Sequence, residues 1–294
     1  MLETPKAPEA PQAAALPPEP HPYMELADWV EQAALQDMYA AASPALQRSA
    51  GLFVDRVAGA LAIGAPGLAS SAVSRVFVHP NASPEAAGMA VDRMRKAGVR
   101  HYFAHVHEGS APRLIAELGE RGLERYHRSW IKLARGRAPL DGSTPSAPDG
   151  GDVQLRAATR EQGDAFAELV IRCQHIDAAA AELVAGIVQR PRWHVYFAQL
   201  GDTPIATGAL FVQGDVGYLS YGATLPEHRD QGLQRMLLRK RIRVALALGC
   251  RVVVSETGEA VPGQRNSSYN NMLSLGLRPI ATRHNYALEG VRFG

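Results

Sequence analysis

The sequence predicts an α/β protein built as two similar halves in tandem, each a mixed sheet with flanking helices. Three observations carry that expectation. A Pro/Gly/Ser-rich segment lies near the midpoint, short motifs recur in the same order on either side of it, and strand-like and helix-like runs alternate. With 294 residues, 46% of them apolar, the chain has length for about two domains and material for their cores.

The first 22 residues hold seven prolines, many alanines and both charge signs. They lack a basic start followed by an apolar run, so they do not read as a signal peptide, and 1–22 is expected to be a disordered tail. Residues 23–138 form the first half. Val57–Ile63 reads as a strand, as does the run Gly98–His105, and an amphipathic helix ends at Gly122-Leu123 before a closing strand at Ser129–Leu133. The uncharged run from Val57 to Ser74 is 18 residues long, close to the lower limit of a membrane span. Its glycines, proline and serines fit a strand followed by a loop better, and no membrane segment is assigned.

Residues 139–151 are a linker, and 152–294 form the second half. Val153–Ala157 opens it as a strand, and helices follow over about 160–174 and 177–189. Trp193–Leu200 and Pro204–Val212 make a hairpin around Gly201-Asp202. Val216–Thr224 is the next strand. From Gly232 the pattern turns helical, with Leu233, Met236, Leu237, Val244 and Ala247 on one face. Val252–Val254 reads as a buried central strand, and a helix near 265–275 and a strand at His284–Leu288 close the half. The halves share Gly-Ala-Leu inside Val57–Ile63 and Ile205–Phe211, a Gly-x-Arg at Gly98 and Gly249, and a helix-ending Gly-Leu at 122–123 and 276–277. Recurrence in one order argues for a duplicated fold.

A net charge of +2 projects no long-range field toward nucleic acid. Arg235, Arg239, Lys240 and Arg243 are expected to form a solvated helix surface. Cys173 and Cys250 cannot make a disulfide framework, and neither sits in a metal-binding spacing, which fits a reducing cytoplasm. His101, His105 and His107 would share one strand face, but at about 3.3 Å per residue His101 and His105 stand roughly 13 Å apart. Only His105 and His107 could share an ion, other ligands would be needed, and strand-end packing or an acceptor-cleft role is expected instead of a metal.

Function concentrates in Leu225–Gln234, which follows an aromatic strand and opens the long helix. A strand turning through glycine into a helix aims unpaired N–H groups and the positive end of the helix dipole at one spot, suited to a phosphate. In Arg229-Asp230-Gln231-Gly232-Leu233-Gln234 the segment resembles the Arg/Gln-x-x-Gly-x-Gly/Ala signature of the GNAT acetyltransferases. Gln234 departs from it, replacing the second small residue. The order β-α-α-β-β-β-α-β-α-β is also similar to the GNAT layout.

The resemblance, which covers about 152–290, implies two tandem GNAT-like domains, each a mostly antiparallel twisted sheet flanked by helices. It implies acetyl-coenzyme A as co-substrate, its pyrophosphate at Arg229–Gln234 and its pantetheine arm along Gly222, Ala223 and Thr224. Asn266 and Asn271 are the further cofactor-binding residues. Glu256 takes the place of the general base, for which a carboxyl pKa raised by burial would serve. The usual tyrosine acid is replaced by Met272, and Tyr269, one turn earlier, is the substitute. The first half lacks the loop motif, reading Asn81–Met89 instead, and resembles a GNAT domain that has lost the cofactor. The implied reaction is direct attack of a primary amine, on a small molecule or a peptide, upon the acetyl thioester, with no nucleic-acid or membrane partner. One alternative is a non-catalytic acyl-coenzyme A binding or sensing protein; another keeps the enzyme but replaces acetyl with a longer acyl group. The acceptor's identity and the oligomeric state are not legible in the sequence.

Overall fold

The computed structural model describes residues 21–140, 153–261, 263 and 266–291. The tail expected over 1–22 lies outside them except at its last two residues, and so does the linker expected over 139–151 from residue 141 onward.

The first half contains α1 (Met24–Tyr39), α2 (Pro44–Ala50), β1 (Phe53–Val57), β2 (Ala60–Gly64), β3 (Arg75–Val78), α3 (Pro84–Lys96), β4 (Phe103–His107), α4 (Pro112–Glu120), β5 (Glu124–Arg125) and β6 (Trp130–Arg135). The second contains β7 (Val153–Ala157), α5 (Gly163–Gln174), α6 (Ala181–Gly186), β8 (Trp193–Leu200), β9 (Thr203–Gln213), β10 (Val216–Thr224), α7 (Leu233–Ala247), β11 (Val252–Gly258), α8 (Ser267–Ser274) and β12 (Arg278–Ala287). The run expected to be one strand, Val57–Ile63, is instead split by a turn at Ala58 and Gly59, whose φ angles are 37° and 94°. It therefore supplies the end of β1 and most of β2, paired antiparallel. His101 lies ahead of β4 rather than in it.

All strands join one 12-stranded sheet in the order β1-β2-β3-β4-β12-β6-β11-β10-β9-β8-β7, with β5 pairing off β12. Most pairings are antiparallel; β3–β4 and β10–β11 are parallel. The closing strands are exchanged between the halves. β6, from the first half, pairs with β11 of the second, while β12, from the second, pairs with β4 of the first. The two exchanged strands also pair with each other, so the sheet runs unbroken through the middle.

Side chains alternate across this sheet, as strand geometry requires. On β11, Val252 and Val254 join the core under α1, α5 and α6, while Val253 joins the core under α7 and α8. A third core lies between α3, α4 and the strands of the first half. Helix α1 belongs to the first half yet packs on both. Its buried Asp37 accepts hydrogen bonds from Arg190 Nη2 at 2.7 Å and Trp193 Nε1 at 3.0 Å, and Arg192 pairs with it too. The basic face expected on α7 is only partly solvated: Lys240 and Arg243 are exposed, but Arg239 is buried. Among the described residues no helix is long and apolar enough to cross a membrane.

Candidate functional site

Strands β10 and β11 pair only over Val216–Leu219 and Val252–Ser255. Beyond that point the register of β10 against β9 shifts between Ser220 and Ala223, and Tyr221 adopts φ 50°. Such a bulge bends its strand and interrupts pairing. The two parallel strands therefore part, and a cavity of about 350 Å³ opens between them, the scale of a small-molecule site. Ser220–Gly222 of β10 and Ser255–Thr257 of β11 form its sides, while Gln234 and Arg241 of α7 and Met272 of α8 form one wall. The opposite wall brings in the first half through Glu31, Arg75 and Trp130.

At the outer end, α7 starts at Gly232, which has φ 76° and provides no side-chain cap. A Cβ at this glycine would meet nothing within 4 Å, and Arg229, Asp230, Gln231 and Gly232 are all exposed. The N–H groups of the first helical turn have no intrahelical acceptors. They lie at the positive end of a 15-residue helix, next to the exposed segment 229–232. Leu233 is buried as the helix's first core anchor. The long side chain of Gln234 turns toward α8 rather than across the loop. It donates to Ser268 Oγ at 3.2 Å and accepts from Asn271 Nδ2 at 2.8 Å. Asn266 caps α8, its Oδ1 accepting from Tyr269 N at 3.0 Å, and its Nδ2 donates to the Gly258 carbonyl at 2.7 Å. Ala223 and Thr224 pair with Thr207 and Ala206 of β9. The Gly222 carbonyl accepts from Gln174 at 3.2 Å.

Glu256 stands at the inner end, inside a cluster of buried charges. Its Oε1 accepts from Tyr218 Oη at 3.1 Å and Arg75 Nη1 at 3.4 Å; Oε2 accepts from Lys132 Nζ at 2.6 Å and Arg283 Nη2 at 3.2 Å. Glu31 of α1 pairs with the same three cations. Four donors fill the four lone-pair positions of a carboxylate. Burial alone would raise the Glu256 pKa, but Lys132, Arg75 and Arg283 outweigh it and hold the carboxyl well below its ordinary range. That is the reverse of the raised value expected from the sequence: a strand-end carboxylate was foreseen, its three cations were not.

Tyr269 is half-buried against the core under α7 and α8. Among the tyrosines, Tyr218 and Tyr221 line the cavity. Burial, and then the Glu256 charge, push Tyr218 well above the ordinary phenol range, so its hydroxyl stays protonated. Sequence reasoning missed Glu31, Arg75, Lys132, Tyr218 and Arg241. Only Arg241 carried a local signal, standing seven residues after Gln234 on the same helix face. Both strand histidines are buried, and Nδ1 of His107 and both ring nitrogens of His105 have no hydrogen-bond partner among the described residues. His107 pairs with Asp28 at 2.5 Å, and His105 stacks on Phe77. Burial, then Arg283 and Arg75, push the His105 pKa well below the ordinary imidazole value.

This geometry meets an independent finding: residues 146–260 match the model of an acetyltransferase (GNAT) domain. The chain carries a GNAT domain. Solved structures extend the likeness of fold to both halves. A GCN5-related N-acetyltransferase from Kribbella flavida is similar at TM-score 0.60 and 20% identity, covering 89% of this chain and 95% of its own. One from Sphaerobacter thermophilus gives TM-score 0.53 and 15% identity, covering 92% and 96%. A tandem GNAT protein from the clavulanic acid biosynthesis pathway gives 0.56 and 16%, covering 78% of each chain. No curated protein matches the chain in sequence. The GNAT match covers the bulged β10, the open loop of α7 and Glu256.

Proposed function

We propose that the protein transfers an acetyl group from acetyl-coenzyme A to a primary amine of a small molecule or peptide. The observation that carries this reading is the continuous cavity between β10 and β11, whose walls include both Gln234, at the end of the open loop, and Glu256. The diphosphate would rest on the first-turn amides of α7 beside Gly232 and Arg229. The pantetheine arm would run along Gly222–Thr224, where β10 has left β11.

The amine attacks the thioester carbon directly; the C–N bond forms, the C–S bond breaks and the thiolate departs. A thiolate is a stable leaving group, so its protonation is not required for bond cleavage. Neither Tyr269, packed in a core, nor Tyr218, held on Glu256, is assigned that proton. Because its lone pairs are occupied, Glu256 acts in this reading as a positioning residue. It fixes Tyr218 and Arg75 in the cavity wall while water removes the amine proton. Holding the two reactants in place supplies most of the rate. The first half, without an open loop, is proposed to bind no cofactor and to complete the acceptor side through α1 and Arg75.

The test is thiol release from acetyl-coenzyme A against a panel of primary amines across a pH series, with wild type and Glu256→Gln. Amine-dependent release in wild type is expected, with an acidic limb that the variant retains. Loss of that limb in Glu256→Gln would return the base role to Glu256. The second reading, a non-catalytic acyl-coenzyme A binding protein, is favoured by the saturation of Glu256. Tight binding without amine-dependent release would establish it.

A further inference from the structure

One charge beside the cavity has no counterpart. Arg241 of α7 is 1% exposed and lines the cavity. Its Nε donates to the Leu237 carbonyl at 3.1 Å, and Nη1 donates to the carbonyls of Ala209 and Ser220 at 2.8 and 2.9 Å. Among the described residues Nη2 has no hydrogen-bond partner, and a Cβ on Gly222 would lie 3.8 Å from it. Nor does any carboxylate among the described residues pair with this guanidinium. Burial lowers its pKa to about 9 with no acid opposing the shift, which still leaves it charged at neutral pH. A buried charge without a counter-charge is costly. The other buried cations around the cavity, Lys132 and Arg283, are each answered by two carboxylates or more.

A second observation falls in the same place. The Ser220 hydroxyl is buried in the cavity wall and has no hydrogen-bond partner. The path toward these groups is also defined. Gln234, Leu238 and Arg241 succeed one another along one face of α7, all three lining the cavity. From Leu233 to Arg241 the helix rises about 12 Å. A donor anchored by its diphosphate at Gly232 therefore lays its far end, the acyl group, near Arg241. The fold makes room for the cation with Gly208 of β9, where a Cβ would come within 2.5 Å of the guanidinium carbon.

We propose that Arg241 and Ser220 form a carboxylate subsite, so that the preferred donor carries a dicarboxylic acyl group, such as succinyl or malonyl, on coenzyme A. One carboxylate oxygen accepts from Nη2 and the other from the Ser220 hydroxyl, which supplies the missing counter-charge and satisfies both orphan donors. This inference rests on the coenzyme A reading above and replaces its acetyl group with a longer, charged acyl group.

The test is direct titration of the full chain with coenzyme A, acetyl-coenzyme A and succinyl-coenzyme A by calorimetry. Wild type is expected to bind the succinyl form tighter than the acetyl form by about tenfold or more, the scale of one charge-assisted hydrogen bond. Arg241→Met should bring that ratio toward one, and Arg241→Lys should keep part of it. Ser220→Ala and Gly208→Ala, the latter displacing the guanidinium without removing its charge, should each reduce the ratio severalfold. They keep the test open should Arg241→Met fail to fold. Equal affinity of wild type for the two acyl forms overturns the subsite and leaves the coenzyme A reading standing. A preference that survives in all four variants overturns the assignment to Arg241 and Ser220. Binding of none of the three compounds overturns the coenzyme A reading and the subsite together.

Discussion

The two halves each send a strand into a helix at the same point of the fold, and finish that helix start in opposite ways. After β3, helix α3 is capped by Ser83, whose Oγ accepts from Ala86 N at 3.2 Å; Pro84 follows, and Glu85 stands in the first turn. Proline has no N–H to offer, and the acid answers the dipole. After β10, helix α7 starts at a left-handed glycine with no side-chain cap and no acid in its first turn. One end is capped by its own side chain; the other has no side-chain cap. The inner ends differ in parallel fashion. Glu256 of β11 and His107 of β4 each stand across from a cation on an exchanged strand, Lys132 and Arg283 respectively. Similar backbones therefore carry dissimilar side chains at both ends of the strand-to-helix turn.

The largest expected effect tests the inner ends. Glu256→Gln removes one of the two carboxylates shared by Arg75 and Lys132 and one of three answering Arg283, and should cost about 3–5 kcal/mol by urea unfolding. His107→Asn should cost clearly less, because Arg283 still answers Asp28. Equal losses would break the contrast. Acid comes next. Burial would raise the Asp37 carboxyl, but its bonds to Arg190 and Arg192 prevail and lower it, and Glu256 is lowered as well. A depressed folded-state pKa gives stability that is complete above the unfolded value, about 4, and lost as pH falls through the folded one. Unfolding free energy should therefore decline below about pH 4, and Asp37→Asn should flatten the decline. At the outer ends, Gly232→Val adds about 1–2 kcal/mol of left-handed strain and crowds the amides. Its affinity for coenzyme A, measured by calorimetry, should fall. The smallest effect is Ser83→Ala, which should cost about 1 kcal/mol for the lost cap and leave coenzyme A binding unchanged.

Much of the second half could be read from local pattern. Val216–Thr224 is a strand with those same limits, the hairpin turns at Gly201-Asp202, and α7 begins where its apolar periodicity begins. The loop at Gly232 was legible too, because a turn followed by a helix is a local matter. The exchange of β6 and β12 was not. Both are closing strands, and nothing in either one names the strand it will pair with. The surroundings of Glu256 were hidden for a related reason: Glu31, Arg75 and Lys132 are more than a hundred residues away in sequence, and Lys132 arrives on an exchanged strand. Arg239 and Arg241 were obscured by helix pattern itself, since a basic residue between apolar neighbours reads as solvated unless the opposing strand is known.

Strand exchange also removes a freedom that duplicated proteins often keep. A fragment ending before residue 139 would present β4 with no β12 beside it and offer β6 to nothing, and the remaining piece would be the mirror of that deficit. Neither half is thus a portable module, and a lineage that inherited this arrangement could not discard one of them without leaving the sheet of the other unpaired.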